Sequence, residues 1–163
     1  MVLFEEIYSE YYFMVNRFSV RMTGEQNTAD DITQEVFLDL YHQLKAKKEI
    51  RSMKSWLFRI AANKSINHMR KLGKIELTEN NTPFEKLIEP EREYELTEEL
   101  NESIQQLEEQ DQVLLALYSE GLSYKEIAEV TGIKVTSVGK TLSRALSRLR
   151  KTFKHNYHEL FSE

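Results

Sequence analysis

A chain of 163 residues, 40% of them apolar, can bury one good core or two small ones, and two small domains suit it better. It has no cysteine, which excludes disulfides, zinc-thiolate sites and a thiol nucleophile and suits a reducing cytoplasm. The net charge of −5 conceals a sorting of signs: residues 1 to 44 hold two basic and eight acidic side chains, 45 to 74 ten and one, 75 to 111 two and thirteen, and 112 to 163 eight and five.

Two positive blocks between acidic stretches imply two nucleic-acid contacts, with the acidic parts turned to another partner or weakening DNA binding by the free protein. Five glycines, two prolines and no useful run of alternating apolar residues predict an all-α protein. In chain order, Leu3, Ile7, Tyr11, Val15 and Phe18 make the buried stripe of a first helix that ends at Thr23-Gly24, with Phe4, Tyr8 and Tyr12 beside it. Asn27 is the expected cap of a second helix, with Asp30 and Asp31 near the positive end of its dipole. The core stripe of that helix is Ala29, Ile32, Val36, Leu40 and Leu44. Asp31, Gln34, Glu35 and Leu38 lie on or near the other side, a polar and acidic face with one apolar residue in it.

A basic connector from Lys45 to Met53, with Lys47, Lys48 and Arg51, leads to a helix over about Ser55 to Lys71. There Trp56, Arg59, Asn63, Asn67 and Arg70 mix cations, aromatic surface and amides. That combination suits single-stranded nucleic acid, because cations follow the backbone, flat groups cover unstacked bases and amides bond base edges. Trp56 and Phe58 are equally candidates for the core. From Gly73 to about Leu96, Pro83, Pro90 and many glutamates mark an extended acidic linker, after which Thr97 is expected to cap a helix carrying Leu100, Ile104 and Leu107.

Residues 121 to 132 have the form of a helix-turn-helix. Ser123 and Glu126 make a capping box, Ala128 is small enough for a close crossing, and Gly132 supplies a left-handed turn. The following helix begins near Val135, and between Lys134 and Lys154 the chain has seven basic side chains and no acidic one. Val138, Leu142, Ala145, Leu146, Leu149 and Phe153 form its core stripe. Ser137, Lys140, Thr141, Arg144 and Arg148 form the opposite face, suited to phosphates and base edges of a major groove.

Three motifs, Ala29 to Phe37, Ser55 to Asn63 and Gly121 to Ala128, in this order and joined by an acidic stretch, resemble bacterial sigma factors of the extracytoplasmic-function (ECF) group over nearly the whole chain. The resemblance implies two all-α domains, an N-terminal helical bundle over 1–72 and a C-terminal helix-turn-helix bundle over 97–163, joined by a flexible acidic linker over 73–96. It implies that Asp31, Gln34, Glu35 and Leu38 dock on RNA polymerase core, chiefly the clamp of the largest subunit, with further contact to the flap. Lys47, Lys48, Arg51, Trp56, Arg59, Asn63, Asn67 and Arg70 would capture and melt the promoter −10 element. Lys134, Thr136, Ser137, Lys140, Thr141, Arg144 and Arg148 would read the −35 duplex, and an anti-sigma protein would cover the polymerase-binding faces. Lys134 stands where the family often has a serine cap, Gly139 where a basic residue is frequent, and Asn67 where Asp is common.

One alternative is a dimeric helix-turn-helix regulator that binds an operator without polymerase. An enzyme is disfavoured: there is no glycine-rich phosphate loop, no thiol, and no carboxylate cluster beside His155 and His158. No cofactor or metal is expected. The absence of an apolar spanning run, and Glu5 and Glu6 in place of a basic leader, predict a cytoplasmic protein with no membrane insertion of its own.

Overall fold

The computed structural model describes residues 2–76 and 92–161. Seven helices account for almost all of them: α1 (Val2–Thr23), α2 (Gln26–Lys45), α3 (Met53–Glu76), α4 (Arg92–Gln105), α5 (Glu109–Ser119), α6 (Tyr124–Thr131) and α7 (Val135–Phe161). No strand occurs among the described residues. Most of the stretch expected to be an acidic linker, 77–91, lies outside them.

Helices α1 to α3 pack on one another because each carries an apolar stripe at helical spacing. Ile7, Val15, Phe18 and Met22 of α1 meet Ile32, Val36, Phe37 and Leu40 of α2 and Leu57, Phe58 and Ala61 of α3, all buried. Phe58 is therefore core, its ring edge-on to Phe18 at 5.5 Å. Leu3, expected in the α1 stripe, is instead 57% exposed, since it lies in the first turn. Polar groups between α1 and α2 have partners: the Thr33 hydroxyl donates to the Ala29 carbonyl, and the Asn16 amide donates to Asp30 and Thr33.

Helix α2 starts one residue before the expected cap, with Glu25 rather than Asn27 at its N-cap. Gly24 adopts φ +77° and ends α1 abruptly, so the chain is already aimed along α2 by Glu25. Helix α3 runs five residues beyond Lys71, through Gly73, whose missing side chain faces open space. Thr97 is likewise not a cap, because α4 begins at Arg92 and Thr97 lies within it.

Helices α4 to α7 form a second group around α5, in which every residue from Asp111 to Leu117 is buried. Ser123 and Glu126 make the capping box in both directions, and Gly132 ends α6 at φ 79°. Val138, Leu142 and Ala145 of α7 are buried. Leu146, expected with them, is 37% exposed because it is displaced by one residue from the Leu142–Ala145–Leu149 line. The two groups touch: α4 and α5 lie against α1, and α5 and α6 lie against α3.

Candidate nucleic-acid interface

Asp31, Gln34, Glu35 and Leu38 are all exposed on α2, opposite its core stripe, and Leu38 is 55% exposed. An exposed leucine among carboxylates makes a mixed surface suited to a protein partner. The face is partly tied to α3, because the Lys64 ammonium lies 3.1 Å from Asp39 and 3.4 Å from Glu35. Partial burial alone would push the Lys64 ammonium down; its bonds to Asp39 and Glu35 outweigh that and raise it.

The loop between α2 and α3 is basic and exposed at Lys47, Lys48 and Arg51. Its first turn has a feature invisible in the charge pattern. Lys47 adopts φ 54°, the left-handed conformation usually left to glycine, while its N–H donates to Leu44 O and the Lys48 N–H to Gln43 O, both at 3.1 Å. The chain keeps a lysine where glycine would be easier.

Arg51 of the α2–α3 loop and Trp56 and Arg59 of α3 line one hollow, together with Glu129 of α6. Asn63 lines a second hollow, facing Glu109 and Gln110 of α5 and Val130 of α6. Asn67, expected to act with Asn63, lines a different hollow on the α2 side with Asp31, Glu35 and His68. The two amides, one turn apart, thus border different hollows, one toward α5 and α6 and the other toward α2.

Three carboxylates of the C-terminal helices, those of Glu109, Glu120 and Glu126, reach basic side chains of the N-terminal ones, and a fourth, that of Glu129, accepts from a hydroxyl. Ser55 donates to Glu129 at 2.6 Å, and Arg59 donates to the Glu129 main-chain carbonyl. Arg70 grips Glu109 with two bonds of 2.9 Å; the guanidinium holds that carboxyl below its ordinary range. Lys54 lies 3.6 Å from Glu126, and both Arg17 and Arg21 donate to Glu120, whose side chain is 2% exposed. Sequence periodicity gave no sign of these carboxylates, since their partners are 39 to 103 residues away.

Lys134, just before α7, and Thr136, Ser137, Lys140 and Arg144 on it are exposed, and Thr141 is partly so, its hydroxyl donating to the Ser137 carbonyl. Arg148 differs, with two bonds of 3.0 and 2.9 Å to the buried Asp111 that fasten α7 to α5. A Cβ on Gly139 would meet the Tyr124 ring at 3.3 Å, so a ring occupies the space next to the position where the family frequently has a basic residue. No group of three or more His, Asp or Glu suited to a metal ion, and no helix long and apolar enough to cross a membrane, occurs among the described residues; the side chains of His155 and His158 are outside them.

Residues 7–75 match the family description Sigma-70 region 2, and residues 97–149 match Sigma-70, region 4. The chain is also 30% identical to RNA polymerase sigma factor YlaC of Bacillus subtilis (strain 168), over 95% of this chain and 94% of that one. It belongs to the ECF sigma factors. The ECF RNA polymerase sigma factor SigM of Bacillus subtilis (strain 168) is 29% identical over 95% of this sigma factor and 98% of its own length. The sigma factor shares its fold with RpoE from Bartonella quintana, solved in complex with the anti-sigma factor NepR, at TM-score 0.74 and 20% identity over 94% of this chain and 98% of that one. CnrH, solved with the cytosolic domain of CnrY, gives TM-score 0.69 at 20% identity over 93% and 88%. The protein is thus a promoter-specificity factor for transcription initiation, and the rival reading as an operator-binding dimer is not favoured.

Proposed function

We propose that this sigma factor divides its work among three faces. In this reading residues 1–72 form the unit that binds polymerase core and the −10 element, residues 73–96 form a linker, and residues 97–163 form the unit that reads the −35 element. Asp31, Gln34, Glu35 and Leu38 dock on the clamp of the largest core subunit. Lys47, Lys48, Arg51, Trp56, Arg59, Asn63, Asn67 and Arg70 hold the melted −10 strand, and Lys134, Thr136, Ser137, Lys140, Thr141 and Arg144 contact the −35 duplex. Arg148 acts first as a strut to Asp111 and only secondarily as a DNA contact. The work is binding, not covalent chemistry: trapping extruded bases has to offset unstacking of a few kcal/mol. The protein acts in the cytoplasm, with the core flap as a further contact and an anti-sigma protein as its regulator.

The observation that carries this reading is the segregation of exposed side chains, acidic with one leucine on α2 and basic on the α2–α3 loop and on α7. The test is reconstitution with polymerase core. Asp31→Lys combined with Gln34→Ala should abolish core binding while leaving the circular dichroism spectrum unchanged, and unimpaired affinity for core would refute the assignment of α2.

A further inference from the structure

The basic side of α3 is already occupied, and its occupant is the same chain. Glu109 lies on Arg70, Glu126 near Lys54, and Glu129 accepts from Ser55 and, through its carbonyl, from Arg59. Behind them, Glu120 is held by both Arg17 and Arg21. Three acidic side chains thus meet one face of one helix, spaced along it from Lys54 to Arg70. A row of single negative charges following a helix with cations and hydrogen-bond donors is also what a nucleic-acid backbone presents. Trp56 and Asn63, the aromatic and the amide suited to a splayed base, line the two hollows that α5 and α6 close from the other side. The docking face of α2 is not covered in this way: Asp31, Gln34, Glu35 and Leu38 are exposed. Nor are Lys140 and Arg144 of α7.

We propose that the α5–α6 edge is a built-in cover for the strand-binding face of α3, in which Glu109, Glu126 and Glu129 take the places of DNA phosphates. The inference rests on the reading of α3 as the −10 face. The free protein is then competent for polymerase and for upstream duplex while its melting face is shut, and the edge must leave α3 before a strand can enter. At this edge the cover is held by two partly exposed ion pairs, Glu109–Arg70 and Glu126–Lys54, and by the Ser55–Glu129 hydrogen bond, each worth a few-fold in an equilibrium, with the buried Glu120 as a further anchor.

The native chain has no cysteine, so donor and acceptor dyes can be attached at Lys45→Cys and Lys125→Cys, both exposed positions on α2 and α6. The full chain is compared with the triple variant Glu109→Gln, Glu126→Gln, Glu129→Gln. Gln at position 126 preserves the capping box, and the triple Gln variant adds no positive charge. A control of equal net charge replaces the exposed Glu5, Glu6 and Glu108 by Gln. The probe is a labelled single-stranded thymidine 12-mer at low salt. In the triple variant, energy transfer should fall and affinity for the oligonucleotide should rise about tenfold over both wild type and control, the combined effect of weakening two ion pairs and one charge-assisted hydrogen bond. Unchanged transfer overturns the cover, whatever the affinity does. A fall in transfer without gain in affinity overturns the strand-binding reading of α3 and the cover with it.

Discussion

Lys47 offers a direct test of whether the α2–α3 loop keeps a strained residue for the sake of its charge. A side chain in the left-handed region costs roughly 1–2 kcal/mol, and glycine gives back roughly 0.5–1 kcal/mol of that through its larger entropy loss on folding. With φ 54° and both cap bonds made by the backbone, Lys47→Gly keeps every hydrogen bond of the turn. The substitution should therefore stabilise the protein by about 0.5–1 kcal/mol, or roughly 2–4 °C of melting temperature per kcal/mol for a chain of this size. Lys47→Ala keeps the Cβ and so the strain, and should show no such gain. Both variants lose the ammonium, so the slope of log affinity against log salt for single-stranded DNA should become shallower by about 0.7 in each. Urea denaturation and a salt titration measure the two effects separately. Equal stability of Lys47→Gly and Lys47→Ala would refute the strain argument, and an unchanged salt slope would remove Lys47 from the DNA contact.

Arg148→Ala should destabilise by about 1–3 kcal/mol in urea, because it leaves the buried Asp111 without its guanidinium, whereas Arg144→Ala should stay within about 0.5 kcal/mol and instead weaken −35 duplex binding in a mobility-shift assay. Ser123→Ala should cost about 1 kcal/mol by opening the capping box of α6, as read by thermal melting. Glu109 has a depressed carboxyl, so its pairing with Arg70 is present above the ordinary glutamate range and lost as pH falls through the lowered value; acidification should reduce energy transfer between dyes at positions 45 and 125. Glu99 behaves oppositely. Its buried carboxylate has no hydrogen-bond partner, and burial followed by the nearby Glu102 pushes it up, so Glu99→Gln should be more stable than wild type at neutral pH, with the difference vanishing as pH falls below the ordinary glutamate value.

Local chemistry was legible in the sequence. The Ser123–Glu126 box, the Gly132 turn, the α2 stripe and the exposed Asp31–Leu38 face all follow from residue type and a period of 3.6, because each depends on neighbours within about two turns. What failed to show was set by distance. Glu25 displaced Asn27 as a cap because Gly24 turned the chain a step earlier. Leu146 and Arg148 were assigned by angle alone, but the position of α5 decides that one is half outside and the other anchored to Asp111. The carboxylates against α3 are the extreme case: the charge count found acidic and basic segments, but only the packing of α5 and α6 shows which of them meet.

Lys64 projects from α3, the helix proposed to hold the strand, to Glu35 and Asp39 on α2, the helix proposed to dock on polymerase. A partner that engages Glu35 competes with that ammonium, and a nucleic acid that attracts the ammonium leaves Glu35 more negative. Thermodynamic reciprocity makes the two effects equal in size, so one shared cation lets occupancy on either side of the bundle be felt on the other without any movement of the backbone.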